Sequence, residues 1–372
     1  MSAADLLYSD TEEALRDSVR QLFAERCPPE LVAKAYDSPP QDFSEVWRTL
    51  AQQLGVAGLL VPESLGGAGA TAREAAVVME EIGRAVAPVP FLSSAVLATV
   101  ALLRAREADT GTETATYTLS ELAAGTATAA LVVPLSTAPW DRIAGVSNSD
   151  GLTGLVTSVA GAAEADVLVV PVAGPDGLEL HTVSRDSAGV EVSPLLALDM
   201  TRPLANVSFS GVASTKIGAG TGAVAAALET GAALLASEQL GLAQWCFDTT
   251  LAYTKERKQF GRAIGSYQAI KHRLTDLWLE VGSATAAARY AADTTARGDQ
   301  DAPIAASVAQ AYCSGTAVRA AEECVQLHGG IGMTWEYPAH LFLKRAKSDQ
   351  LAFGTAYRHR SRLAELVDLP VT

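Results

Sequence analysis

Residues 256–272 read Glu256-Arg257-Lys258-Gln259-Phe260-Gly261-Arg262-Ala263-Ile264-Gly265-Ser266-Tyr267-Gln268-Ala269-Ile270-Lys271-His272. A helix closes in a guanidinium, an aromatic ring and a glycine. After a short turn a second helix opens with a glutamine in its first turn. Fork, ring and amide converge at a helix terminus, a combination suited to a pyrophosphate-bearing ligand. The same spacing fits a plain helix–turn–helix with a C-cap glycine and a solvated arginine. Further on, Gln326-Leu327-His328-Gly329-Gly330-Ile331-Gly332-Met333-Thr334-Trp335-Glu336-Tyr337-Pro338 places Gly329, Gly330 and Gly332 after another helix, where backbone can pass close to a ligand. No Lys-Ser/Thr follows to make a P-loop and no strand precedes to make a Rossmann turn, so in isolation this stretch also reads as a connector.

Working outward from these segments, the helical period dominates. Gly222 to Lys258 reads as one long helix, with Lys255, Arg257 and Lys258 complementing its dipole before Gly261. Tyr267–Ala296, Ala302–Leu327 and His340–Leu366 supply three more, so residues 216–372 are expected to form a four-helix bundle. Upstream, residues 116–215 change texture. Leu131-Val132-Val133, Val167–Val170, Leu178–His181 and Val207-Ser208-Phe209 are short β-branched runs, and Pro175-Asp176-Gly177 marks a turn, predicting an antiparallel, barrel-like β-domain. Residues 1–115 are helical again. Asp10 with Glu13 at N3 suggests a capping box, and Leu15, Val19, Leu22 and Phe23 share a face. A helix over Phe43–Leu54 ends at Gly55, the loop Pro62–Gly69 follows, and Ala75, Val78, Met79 and Ile82 continue a helix from Thr71. The fold class is mainly α with a middle β-domain.

Composition narrows the function. The chain of 372 residues carries 28 basic and 42 acidic side chains, a formal charge of −14, which disfavours nucleic acid as a partner. An anionic ligand would need a local basic patch or helix N-termini. Cys27, Cys246, Cys313 and Cys324 form no CxxC pair and read as buried free thiols. The five histidines show no HxxxH or HExxH spacing, so no metal is expected. Glu229 and Glu238 interrupt the most apolar stretch, Gly222–Ala243, which argues for packing and not a membrane span. With no basic-then-apolar N-terminal segment, the expected location is cytoplasmic.

Taken together, the Pro62–Gly69 loop, the helix–strand–helix order, the RxxFG segment and the QxxGGxG segment resemble the acyl-CoA dehydrogenase family, of the actinobacterial type, over essentially the whole chain. The resemblance implies FAD as cofactor and α,β-dehydrogenation of an acyl-CoA thioester, a carboxylate taking the α-proton and flavin N5 the β-hydride. It implies a tetramer built from dimers, with an electron-transfer flavoprotein as acceptor. Carried over by position, Arg257, Phe260 and Gln268 would touch a neighbouring subunit's FAD, and Gln326, Gly329 and Gly330 would hold its adenosine diphosphate part.

The family's ring-binding half is not matched. Its Thr-Glu-Pro…Gly-Ser-Asp and Trp-x-Thr/Ser patterns are missing from Leu131–Trp140 and the region around it, and the position of its usual Glu base falls on Phe353. The alternative base position falls on Gly231. Glu238, Glu229 and Asp349 are the nearby carboxylates, each of which also reads as an ion-paired helix residue. Lys271, His272 and Arg273, or Lys344, Arg345 and Lys347, could meet phosphates, and equally fit solvated faces and ion pairs. Trp335 and Tyr337 read as packing residues. Three functions follow. The chain is a partner subunit lending half an FAD site in a hetero-oligomer, as in family members acting on bulky substrates such as steroid side chains. Otherwise it is a self-sufficient homo-oligomer using Glu238, or a flavin-free scaffold.

Overall fold

A computed structural model describes residues 6–108 and 113–369. The N-terminal part holds α1 (Asp10–Arg26), α2 (Pro29–Val32), α3 (Ser44–Arg48), α4 (Ala72–Ala85), α5 (Thr99–Ala108) and α6 (Glu113–Ala123). The first capping box sits one residue earlier than expected. Ser9 is the cap: its hydroxyl accepts from the Glu12 backbone N–H, and the Glu12 carboxylate accepts from the Ser9 N–H at 2.7 Å. Arg73 draws that same carboxylate inward at 2.8 Å, which decides between two equally good matches to the pattern. Thr71 and Glu74 form a second box at the start of α4. The helix expected over Phe43–Leu54 is α3 followed by a wider π-helical turn, Thr49–Gln53, before left-handed Gly55.

Helix α6 crosses the expected change of texture at Thr116, and strands begin only at Ala129. They are β1 (Ala129–Leu131), β2 (Ser147–Asn148), β3 (Leu152–Ala160), β4 (Val167–Gly174), β5 (Gly177–Ser184), β6 (Val190–Pro194), β7 (Leu204–Val212) and β8 (Thr215–Ala219). Two four-stranded sheets result, ordered β1-β4-β5-β8 and β2-β3-β7-β6. The pairing is antiparallel except between β1 and β4, which run parallel, a departure from the expected all-antiparallel domain. Leu152, Leu168, Val170 and Val207, each 0% exposed, pack between the sheets.

The C-terminal part consists of α7 (Thr221–Glu256), the small hairpin β9 (Lys258–Gln259) and β10 (Arg262–Ala263), then α8 (Gln268–Arg297), α9 (Ala302–His328), α10 (Ala339–Leu351) and α11 (Ala356–Leu366). The fourth helix expected over His340–Leu366 is therefore broken. Phe353 (φ 54°) and Gly354 (φ 98°) turn the chain, and the Phe353 N–H donates to Leu135 O at 2.9 Å. Likewise α7 stops at Glu256, and Gly261 is not its C-cap but part of the hairpin turn.

Every residue from Gly231 to Ala243 is buried, so protein surrounds the middle of α7 on all sides, and its polar members Ser237, Glu238 and Gln239 are buried with it. Where α4 crosses α7, backbone meets backbone. A Cβ on Gly241 would lie 1.8 Å from the Glu80 carbonyl oxygen, and one on Gly83 would lie 1.9 Å from that of Glu238. Among the described residues no helix is long and apolar enough to cross a membrane. All four cysteines are free and buried.

Candidate dinucleotide face and the sealed interior

The C-termini of α7 and α9 and the N-terminus of α8 meet at one end of the bundle. The Tyr253 hydroxyl donates to His328 O at 3.4 Å, and its ring lies 4.2 Å from the imidazole. His328 Nδ1–H donates to Cys324 O at 2.6 Å, leaving Nε2 to accept from the Tyr337 hydroxyl, also at 2.6 Å. Tyr337 is thus a packing residue that fixes the loop. Arg273 makes a two-pronged ion pair with Glu323, both contacts 2.8 Å, aligning α8 antiparallel to α9.

This framework brings the six expected cofactor residues to one end of the molecule. Arg257 caps α7 in extended conformation, and its guanidinium is exposed, with no hydrogen bond or ion pair among the described residues. Phe260 stands at the hairpin tip, 93% exposed and with φ 50°, a strained conformation for a bulky residue. Gln268 opens α8 and Gln326 lies in the last turn of α9, both exposed. A Cβ on Gly329 or Gly330 would meet nothing within 4 Å, so the backbone there is open to close approach. An exposed ring, an unpaired guanidinium, two free amides and bare backbone fit a flat, anionic dinucleotide.

The other basic candidates are engaged elsewhere, apart from Lys271 and His272, which are exposed on α8. Lys347 pairs with Glu322 at 2.9 Å. The Lys344 ammonium sits 4.0 Å from the Tyr36 ring centroid and 3.9 Å from that of Trp335.

Arg345, 1% exposed, belongs to a buried cluster that sequence alone did not reveal. Its Nε donates to Asp199 Oδ2 and its Nη2 to Thr201 Oγ1, both at 2.7 Å, while Nη1 meets Glu238. Arg202 reaches the same carboxylate from the other side, at 2.6 and 2.5 Å, and donates to Asp349 Oδ1 at 2.6 Å. Both Glu238 oxygens are therefore held by guanidinium groups in a fully buried ion pair. Releasing it to act as a base would strand buried charges, at a cost of roughly 3–5 kcal/mol. Asp349 keeps one buried oxygen without a partner among the described residues, and burial with the nearby Glu238 charge pushes its carboxyl up to about 7.

The two positions where the family places its base touch each other. A Cβ on Gly231 would come 3.0 Å from Phe353 Cζ and 2.6 Å from Leu97 Cδ2. The Phe353 ring, 0% exposed, thus fills the space that a side chain at Gly231 would need. The Leu131–Trp140 segment closes over it: Leu135 O holds the Phe353 N–H, and Trp140 meets the His359 ring edge-on at 5.0 Å. Burial depresses His359 to about 4, so its imidazole is neutral, Nε2–H donating to Phe353 O at 3.0 Å. A cavity of about 230 Å³ beside them is lined by Trp140, Glu229, Ser307 and Arg362, and burial raises the Glu229 carboxyl. Among the described residues no group of His, Cys, Asp and Glu could hold a metal ion.

Residues 9–132 match the acyl-CoA dehydrogenase N-terminal domain, and residues 218–367 match the acyl-CoA dehydrogenase C-terminal domain. Acyl-CoA dehydrogenase IpdE2 of Mycolicibacterium smegmatis is 34% identical over 355 residues, covering 95% of this chain and 98% of its own. A variant of the Tcur3481-Tcur3483 steroid ACAD superposes with a TM-score of 0.84 at 28% identity, covering 96% of this chain and 98% of that one. The ChsE4-ChsE5 complex from Mycobacterium tuberculosis superposes with a TM-score of 0.86 at 25% identity, over 99% of this chain and 100% of that one.

Proposed function

Because the chain belongs to the acyl-CoA dehydrogenase family, oxidoreductases acting on CH–CH groups, we propose that it is the partner subunit of a mixed assembly. It contributes half of an FAD site and no base. The observation that carries this reading is the mutual fit of Gly231 and Phe353, which leaves neither family position able to take a proton. The outward-facing half keeps its residues by contrast: Arg257, Phe260, Gln268, Gln326, Gly329 and Gly330 are exposed, and the side chains of Arg257, Gln268 and Gln326 make no hydrogen bond or ion pair among the described residues.

When bound, FAD supplies the hydride acceptor. This chain's residues bind and orient it. Arg257 offers a charged fork to phosphate oxygens, Phe260 an aromatic face, Gln268 and Gln326 amide hydrogen bonds, and Gly329–Gly330 a stretch of backbone with open space where side chains would stand. The α-proton is then taken by a carboxylate of the neighbouring chain. Two similar structures support a two-chain enzyme for a bulky acyl group: one is a complex of two named chains, and the other is a steroid ACAD with a paired name.

Expression alone and with a co-encoded acyl-CoA dehydrogenase-like chain tests this directly. The lone chain should be colourless, and the pair should purify at equal stoichiometry with FAD and oxidise an acyl-CoA. One FAD per lone chain, reducible by an acyl-CoA, would overturn the partner-subunit reading.

A further inference from the structure

A cavity of about 760 Å³ opens between the N-terminal helices and the β-domain, away from the dinucleotide face. None of its lining residues belongs to the 257–268 or 326–330 segments. Its size lies within the range of small-molecule sites, roughly 300–1,000 Å³. The walls are mostly apolar: Phe43, Trp47 and Pro90 on the helical side, Leu195, Met200 and Leu204 on the sheet side.

The charged groups lining it are three carboxylates and one arginine. Glu164 enters from the β3–β4 turn, and its carboxyl has no hydrogen bond or ion pair among the described residues. Glu164 is solvent-exposed, as are Asp42 and Asp166. Partial desolvation by the surrounding protein and the nearby Asp42 charge push its carboxyl up to about 7. Asp42 is fixed by accepting from the Ser44 N–H at 2.8 Å and the Ser44 hydroxyl at 3.0 Å. Asp166 adds a third carboxylate, bound to the Thr128 N–H at 2.8 Å. The cation among the lining residues, Arg48, is paired with Glu45 at 2.5 Å. Trp47 is 8% exposed, and its indole N–H finds no acceptor among the described residues.

Two carboxyls opposed across a largely apolar cavity repel one another and gain from a positive charge between them. A coenzyme A ester or a nucleotide, both polyanionic, meets the wrong sign here. We propose that this cavity binds a small organic ammonium compound, its cationic nitrogen between Glu164 and Asp42 and its apolar body against Trp47, Phe43 and Met200. The Trp47 ring face adds cation–π attraction for the same charge. The site is independent of the flavin reading, and its test needs no flavin.

The probe is 2-(2-naphthyl)ethylamine, titrated calorimetrically into the purified full-length protein, with 2-(2-naphthyl)ethanol as its uncharged counterpart. Saturable one-site binding of the amine is expected, roughly five- to tenfold tighter than the alcohol, the range of a partly screened charge pair. Glu164→Gln should remove that preference while leaving alcohol binding and the thermal midpoint unchanged. Asp42→Asn should reduce it, and it serves as the second variant should the first fail to fold. Equal affinity for amine and alcohol, absence of saturable amine binding, or an undiminished preference in Glu164→Gln would each overturn the proposal.

Discussion

At the scale of single residues, Gly231 and Phe353 act as gap and filler, and their fit can be measured. Gly231→Ala puts a methyl 2.6 Å from Leu97 Cδ2 and 3.0 Å from Phe353 Cζ, which should cost about 1–3 kcal/mol by denaturant unfolding. In a Phe353→Leu background the penalty should fall, because the smaller side chain gives way. Equal penalties in both backgrounds would mean that the ring does not occupy that space. Asp349 carries a pH prediction with a definite sign. Its carboxyl is raised from 3.8 to about 7 among Glu238, Asp199, Arg202 and Arg345, so the folded chain keeps a proton that the unfolded chain has released. Stability from this group is complete below about 4 and is lost as pH rises through 7, by at most about 1.4 kcal/mol per pH unit. Asn mimics the protonated acid and still accepts from Arg202. Asp349→Asn should therefore match the parent near pH 4 and exceed it by a margin that grows up to about pH 7; an unchanged pH slope in the variant would refute the assignment.

Among elements, the crossing of α4 and α7 depends on two glycines. Gly241→Ala would set a methyl 1.8 Å from the Glu80 carbonyl oxygen, and backbone cannot yield as a side chain can. A loss of about 3 kcal/mol or more, or failure to fold, is expected from chemical denaturation, whereas Gly282→Ala, with open space around its Cβ, should be neutral or stabilising. The period of apolar residues made α1, α4, α7, α8 and α9 legible in sequence because each buries a continuous stripe or, in the middle of α7 from Gly231 to Ala243, every side. The break between α10 and α11 was not legible. Ala352 and Phe353 keep the helical pattern of apolar positions, and the left-handed turn is held by Leu135, more than two hundred residues away. Helix α6 was hidden for the opposite reason: Thr114-Ala115-Thr116-Tyr117-Thr118 has β-favouring residues, and Ala115 and Leu119 pack it as a helix regardless. The site divided in the same way. Arg257 with Phe260, and Gly329 with Gly330, lie in two short segments that each read as a unit in the sequence. Asp199, Thr201 and Arg202 lie in an aperiodic loop, so only the fold brings them to Glu238 and Arg345.

For the molecule as a whole, interior and surface carry opposite instructions. The interior is shut: Phe353 is fully buried, Glu238 is neutralised and His359 is uncharged. The surface at one end of the bundle is unfinished, with Phe260, Met333 and Trp335 exposed by 93%, 79% and 65%. A ring that far from protein contributes almost nothing to the stability of the isolated chain, and an unpaired surface guanidinium contributes as little. Phe260→Ser and Arg257→Gln should therefore leave the thermal midpoint of the lone chain within about a degree. In the assembled enzyme the same changes act on the ligand. Losing a charge-assisted hydrogen bond of about 1.5–3 kcal/mol should weaken FAD retention of the Arg257→Gln assembly by roughly ten- to a hundredfold. Flavin release on dilution, followed by fluorescence, measures this separately from unfolding. The separation is what makes the outcome decisive, because a merely structural pair of residues would lower the midpoint of the isolated chain. Residues kept for a neighbour's cofactor would leave that midpoint alone and show their loss only when two chains and a dinucleotide are present together.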